Sequence, residues 1–598
     1  MKRIMHIIRL IPVVAVIALF YAACDDNNGI SSDDPVIKPD STAIDIPFGK
    51  LSDYAIYQND GIVRYIDHTM VDSVRYAANK TLLVYYLKDS CVVSFSRHML
   101  DSVTFKYPEG RTVSVFPIAS NFISAIENAN APASKDMTEP SAPSNEDASD
   151  YGDYIENFGV KDKNTITFTW SGNNVTWSGT VPSGVSIIKD NGHVTVKSTK
   201  SKMRYRLQGT TEDGSFKIAN MNVSVTDDNN KKFILELNGV DITNPNGPAI
   251  NIQSGKTVLV NMPMGKVNSL KDGTTYTQID GESRKGTFFS EGQLVFSGPG
   301  TLNVTSLGGH GICSDDYIRL RYNVGEINIT AAKDGINTKD YFLMYGGTLK
   351  INSSGDGVGV RRGQFELYGG SLDITCSDDG VVSDYVNPDT AFVKIGGGSL
   401  KVATTGSKGH AVVTTGKLIV EKGTVTASTQ GTASKGFNAG GDITVKDSYV
   451  NLLTQGDPQY DEDEKDWSSA ACIRAKSALA ISGSDVFLLS SGQGSKCINA
   501  AAEVNIGTST VTMAATGTDY NGGDNNVRSR AIDVVSLTVG SGTYLGISAA
   551  KTAIHTESGF DIIGGNTFAY TLSADSKAVN VKGTFSQTGG LLMSGLSE

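Results

Sequence analysis

Cysteine, histidine and tryptophan are scarce in this chain of 598 residues, with six, seven and three copies. No Cys/His spacing among them suggests a zinc site. Basic residues are in deficit, 52 Lys and Arg against 63 Asp and Glu. The net charge of −11 argues against nucleic acid as a partner. Helical periodicity is missing from the last 350 or so residues, which instead carry many of the chain's 65 glycines. There a small residue followed by Ile, Val or Phe recurs every 22 to 36 residues. The unit reads His310-Gly311-Ile312, Asp334-Gly335-Ile336, Asp356-Gly357-Val358, Asp379-Gly380-Val381, His410-Ala411-Val412 and Lys435-Gly436-Phe437, and continues to Lys577-Ala578-Val579. A period of this size marks a solenoid, because no single repeat can bury its own apolar face. Short strands with glycine corners make each repeat one rung of a parallel β-helix. The fold class is therefore all-β, a solenoid of about thirteen coils preceded by a small N-terminal β unit.

The N-terminus reads as a processing signal. Lys2, Arg3 and Arg9 precede a short apolar run, Ile11 to Ala22, and then Tyr21-Ala22-Ala23-Cys24. This resembles a bacterial lipoprotein signal over residues 1–23, with Cys24 lipidated and anchoring the protein to a membrane; an uncleaved membrane helix is the alternative, although the apolar run is short for a span. The Asp25-Asp26-Asn27-Asn28 run resembles the export tags of surface lipoproteins, so an outer-membrane, surface-exposed location is expected, with a periplasm-facing anchor as the alternative. Residues 24–44 form a polar tether. In residues 45–125 Met70-Val71-Asp72-Ser73-Val74 recurs as Leu100-Asp101-Ser102-Val103-Thr104, which predicts duplicated hairpins. The Pro-, Ser- and Asp-rich stretch 126–164 reads as a disordered linker. The β-helix then runs over 165–598, with Thr165–Trp170 and Asn174–Trp177 as cap strands and first rungs near Phe233–Val240. Insertions Asp272–Lys285, Asp384–Thr390, Gly456–Trp467 and Thr518–Arg528 are expected to gather on one edge, frequently a binding edge. Cys472 and Cys497 share one repeat position. Rungs about 4.8 Å apart sit too far apart for an ordinary disulfide, so buried free thiols are expected.

Aligning the repeats turns spacing into rows. Two residues before the apolar position stand His310, Asp334, Asp356, Asp379, His410 and Lys435. Adjacent carboxylates at strand spacing cannot all ionise cheaply without a counterion. Asp315, Asp316, Asn337, Asp340, Asp378 and Asp384 add oxygen donors nearby. Oxygen ligands without thiolate are calcium chemistry, although an acidic face solvated by salt has the same composition. Three residues after the apolar position stand Asp315, Lys339, Arg361 and Asp384. Beside calcium, Lys339 or Arg361 could abstract a proton next to a uronate carboxylate; a salt-bridged ladder explains the same row. Tyr317 with Tyr341, and Tyr345 with Tyr368, align one rung apart. The second pair is expected to face outward, since Met344 and Leu367 alternate inward, and either pair could stack on sugar rings or merely stiffen the sheet. The acidic insertion Asp457–Trp467 could take a cation or a sugar, or be a plain solvated loop.

The wording of the repeats also resembles a known family. Leu235-Glu236-Leu237-Asn238-Gly239-Val240-Asp241, Gly247-Pro248-Ala249-Ile250, Asp272-Gly273-Thr274-Thr275-Tyr276 and Ser314-Asp315-Asp316-Tyr317 carry the likeness, with the Asp-Gly-Ile/Val ladder. It is similar to the calcium-binding, right-handed parallel β-helix family of secreted carbohydrate-binding proteins. The resemblance implies polysaccharide binding, Ca2+ as the bound ion, and no established lyase role. Three functions remain open at this point. They are a non-catalytic polysaccharide-binding lipoprotein acting as a monomer, a calcium-dependent lyase of uronate polymers, and an adhesin-like stalk.

Overall fold

The structure is a computed structural model. It describes residues 155–220, 232–462, 465–523 and 525–596, together with six strands between Tyr54 and Thr104. From residue 165 onward the chain winds as a parallel β-helix of three sheets. Sheet A runs through Ile250–Gln253, Gly286–Ser290, His310–Ser314, Ile336–Thr338, Val358–Val360, Val381–Ser383, Val412–Thr414 and Lys435–Ala439. Sheet B includes Ile318–Leu320, Phe342–Met344, Phe365–Leu367 and Val393–Ile395. Sheet C includes Thr301–Ser306, Glu326–Ala331, Thr348–Ser353 and Ser371–Cys376. In these coils each strand pairs in parallel with the strand three later in the chain. The sheets therefore advance along an axis and do not close into a barrel.

Three-residue strands place their first and third side chains inward. Phe342, Met344, Phe365 and Leu367 are accordingly fully buried, and the two phenylalanines stack at 5.3 Å. The small repeat residue is required by what lies across the corner. A Cβ on Gly335 would overlap Cγ2 of Ile351, which points inward from sheet C. Cys472 and Cys497 fill this position in later coils and are free, fully buried thiols, as the rung spacing implies. Between sheets B and C the chain turns at Gly346-Gly347, where Gly347 has φ +82° and a Cβ would come 2.5 Å from the Val324 carbonyl oxygen.

The solenoid begins earlier than Phe233. Thr165–Ser171 pairs in parallel with Met203–Thr211, which pairs with Phe233–Asn244. Val175–Ser178 folds back antiparallel on Thr165–Ser171, as a cap strand should, and Val185–Asp190 pairs antiparallel with His193–Ser198. Phe168, Trp170, Tyr205 and Phe216 pack into an aromatic plug at this end, with ring centroids 5.5–6.4 Å apart. Burial pushes the Tyr205 hydroxyl up to about 12. The expected linker also ends sooner. Ile155–Phe158 is a short helix, and Ile155, Phe158 and Val160 cover Ile234, Leu259 and Val295 on the outside of sheet B. Apolar residues at those positions find a surface to bury, which a disordered segment would not.

In the N-terminal unit Tyr54–Gln58 pairs antiparallel with both Val63–Ile66 and Leu100–Thr104. Val71–Ala77, Leu82–Leu87 and Val92–Ser96 form a second three-stranded sheet. The duplicated segments thus fall in different sheets. Cys24, the tether and the linker up to residue 154 lie outside the described residues.

Candidate functional site

Three of the four insertions interrupt the same corner, where sheet C passes to sheet A. Asp272–Lys285 does so between Val267–Asp272 and Gly286–Ser290. The other two carry small antiparallel hairpins, Gln459–Asp461 with Asp466–Ser468 and Tyr520–Gly522 with Asn525–Val527. Asp384–Thr390 instead leaves sheet A toward sheet B. The C-to-A corner also carries the row of ionisable residues.

That row is a hydrogen-bonded ladder. Each side chain accepts the backbone N–H of the equivalent residue one coil on. Asp334 N–H donates to His310 Nδ1 at 3.3 Å, Asp356 N–H to Asp334 Oδ1 at 3.1 Å, and Asp379 N–H to Asp356 Oδ1 at 3.3 Å. His410 N–H then donates to Asp379 Oδ1 at 2.6 Å and Lys435 N–H to His410 Nδ1 at 3.0 Å. The amides of this corner would otherwise be buried unpaired, which costs about 1–3 kcal/mol each. Asp334, Asp356, His410 and Lys435 are all buried. A residue with an acceptor close to its own backbone is what this position selects, and Asp and His both supply one.

The charges are distributed unevenly along the ladder. Arg361 bonds Asp334 Oδ2 at 2.8 Å and Asp356 Oδ2 at 2.9 Å. Burial opposes the Arg361 charge, but Asp334 and Asp356 outweigh it and raise its pKa. Burial likewise works against the Asp334 carboxylate, yet His310, Asn337 and Arg361 hold it well below the usual range. Asp356 is pushed up to about 6 by burial and then by Asp334. Asp379 is pushed up to about 8, by burial first and further by Asp356 and Asp378, against the His410 amide. Burial, with Lys435 and Lys408 adding, lowers His410 to about 3, so its ring is neutral. The ion pairs are therefore concentrated on Asp334 and Asp356, and Asp379 makes none among the described residues.

Toward the Asp379 end of the ladder Asp356, Asp378 and Asp379 bring carboxylate oxygens within 4.8 Å of one another. Three convergent hard oxygen donors, of which Asp356 and Asp379 have proton affinities raised by burial and then by neighbouring carboxylates, fit a divalent cation such as calcium, with other oxygens completing six to eight ligands. The remaining expected ligands do not join this group. Asp334 is held by Arg361, and Asn337 Nδ2 donates to Asp334 at 2.7 Å. Asp315 pairs with Lys285 and Asp316 accepts from Gln293. Asp316 and Asp340 neighbour each other at the A-to-B end of the strand, where burial and then Asp340 raise the Asp316 pKa. Asp384 is exposed at that same end.

Two sequence expectations need correction. Arg361 cannot serve as a catalytic base, because two carboxylates hold its proton. Its partners also lie across the strand, not in its own row. Lys339 stands at the A-to-B end, half-buried, as its repeat position implies. The tyrosine platform is not open either. Tyr345 is only 7% exposed, because it stacks on Tyr368 at 5.3 Å with planes 10° apart. Tyr368 is capped in turn by Lys394, 5.3 Å from its ring centroid. Tyr317 and Tyr341 stack at 4.3 Å, and Tyr317 packs against the Ile155–Phe158 cluster. Both pairs are ladders within the sheet.

An aromatic group also lies on two of the insertions at the C-to-A corner. Tyr460 and Trp467 face each other across one hairpin, with ring centroids 5.5 Å apart, and Tyr520 of the other hairpin lies 5.0 Å from Trp467. Tyr460 is 39% exposed. The first hairpin is fastened to the corner by Lys408–Asp461 at 2.8 Å and Thr432–Gln459 at 2.9 Å. The only signals for it in sequence are the insertion itself and its Trp.

Residues 190–415, which contain the Asp ladder, match the family model described as carbohydrate-binding domain-containing protein. No curated protein matches. Among solved structures, a polysaccharide lyase-like protein from C. thermocellum, solved as a gadolinium derivative, is similar at 20% identity. The likeness covers 48% of this chain and 96% of that one, with a TM-score of 0.35.

Proposed function

We propose that this protein is a surface-anchored, non-catalytic lipoprotein that binds acidic or plant-type polysaccharide with the help of calcium. The observation that carries this reading is the convergence of Asp356, Asp378 and Asp379 inside the span that matches a carbohydrate-binding family. These three residues would hold the ion, and when bound it would supply positive charge to a sugar carboxylate or hydroxyl pair. The protein's own contribution is rigidity. The ladder fixes the Asp356 and Asp379 carboxylates through backbone amides, so little ordering of those two is needed on binding. A long straight corner also suits an extended chain better than a closed pocket would. Cys24 would tether the solenoid to the outer membrane, with the polar segment after it giving reach.

The reading is tested by titrating the purified protein with polygalacturonate in calcium and again in chelator. Ultraviolet absorbance at the wavelength of unsaturated uronates is followed in the same samples. Calcium-dependent binding without a rise in absorbance is expected. Growth of unsaturated product would make the protein a lyase, and absence of binding to any glycan would remove the reading altogether.

A further inference from the structure

The C-to-A corner carries a second chemical feature, two coils before Asp356. The Asp272–Lys285 insertion folds over it and leaves a cavity of about 260 Å³ lined by Tyr276, Arg284, Lys285, Gly308, His310 and Lys333. Its wall is built from a buried carboxylate. Asp272, 1% exposed, accepts from Thr287 Oγ1 at 2.8 Å, Ser306 Oγ at 2.6 Å, the Tyr276 hydroxyl and the Leu307 amide. Four donors on one carboxylate lock the start of the insertion and stand Tyr276 upright. Gly309 is needed there, because a Cβ would come 2.6 Å from the Tyr276 hydroxyl. A side chain on Gly247 would likewise overlap the Arg284 guanidinium.

The lining is cationic, and part of its charge is unspent. Lys285 faces Asp315 and His310 faces Asp334. Arg284 and Lys333 make no ion pair with a carboxylate among the described residues. Arg284 donates to the Thr277 carbonyl, while its Nε is buried with no hydrogen-bond partner. Burial lowers its pKa, with Glu282 and Tyr276 only partly offsetting the loss. A planar guanidinium and an ammonium beside an upright phenol match a carboxylate borne on a ring.

We infer that this cavity binds the carboxylate of a uronate residue, held by Arg284 and Lys333 while its ring lies against Tyr276. The inference rests on the polysaccharide reading above and specifies it: the glycan is anionic, and a direct contact recognises its charge separately from the cation at Asp356, Asp378 and Asp379.

The test uses the full chain in chelator, so that the cation site is silent. Trigalacturonate and its fully methyl-esterified form, which keeps the ring and loses the charge, are titrated calorimetrically. The wild-type protein should bind the acid about tenfold or more tighter than the ester. Lys333→Gln, at an exposed position, and Arg284→Gln should each bring the two affinities together, and Lys333→Arg should keep the preference. Equal affinity for acid and ester in the wild type, or a preference that survives both Gln variants, would overturn the inference. If calcium-dependent polysaccharide binding persists in that case, only this pocket assignment falls. If no glycan binds with or without calcium, the broader reading falls with it.

Discussion

Asp356 and Arg361, five residues apart in the chain, meet at 2.9 Å across the outer surface of a three-residue strand. The strand's middle residue is Gly359, and a Cβ there would come 2.7 Å from the guanidinium. The arginine thus lies flat over the strand and pairs with two ladder carboxylates, while Asp378 and Asp379 make no ion pair among the described residues. Replacing it separates its two effects. Arg361→Gln should melt at a lower temperature than the wild type without calcium, because Asp334 and Asp356 lose their shared partner. Added calcium should then raise the melting temperature of the variant more than that of the wild type. Scanning calorimetry with and without calcium checks both; an equal calcium response would disconnect Arg361 from the cation site.

Buried Lys496, further along the ladder row, and half-buried Asp533, on the strand of the next coil, form another ion pair at 2.6 Å. Burial depresses the Lys496 pKa despite Asp533, whereas Asp533 is lowered because Lys496 and Arg530 overcome its own burial cost. Removing one partner strands the other, so Asp533→Ala should cost about 3–5 kcal/mol, while Lys496→Met with Asp533→Leu should be close to neutral. A carboxylate with a depressed folded pKa stabilises above its ordinary value near 3.8 and loses that contribution as pH falls through the folded value. The double variant should therefore lose less stability in acid than the wild type. Denaturant titrations at pH 7 and pH 3 measure this, and parallel losses would contradict it.

The fold was legible because a small residue next to an apolar one, repeated every 22 to 36 positions, leaves few alternatives to a coil. The Asp ladder was legible for the same reason, since alignment of repeats places equivalent residues in rows. What alignment does not give is reach. Arg361 belongs to the row after the strand but acts in the row before it, which only the length of its side chain and the absence of one on Gly359 permit. Tyr345 shows a different limit. Alternation fixes Phe342 and Met344, but the chain turns at Gly346-Gly347, and at a corner period two no longer decides which side is covered.

The aromatic residues should accordingly divide into structural and binding groups. Tyr345→Ala should destabilise the solenoid by about 3–5 kcal/mol, as large-to-small changes of buried rings do, and leave glycan affinity per folded molecule unchanged. Trp467→Ala, on a projecting hairpin, should weaken glycan binding about tenfold with little change in unfolding midpoint. Thermal unfolding and affinity electrophoresis on both variants tell the cases apart; the reverse pattern would return the platform to Tyr345 and Tyr368.

The anchor is tested separately. Cys24→Ser should accumulate as an uncut precursor that takes up no labelled fatty acid and is absent from the outer-membrane fraction. Normal labelling of that variant would place the processing site elsewhere.

The most direct measurement of the account is calcium-dependent binding of polygalacturonate by Asp378→Asn. Asp378 is exposed and makes no ladder hydrogen bond, so its loss leaves the corner intact while removing one of three convergent carboxylates. Asp575→Asn, exposed on a distant coil outside the acidic row, is the matched control. The account predicts that calcium affinity falls about tenfold or more in Asp378→Asn alone, and that polysaccharide binding falls with it. Equal calcium titrations for the two variants, or polysaccharide binding indifferent to calcium in the wild type, would contradict it.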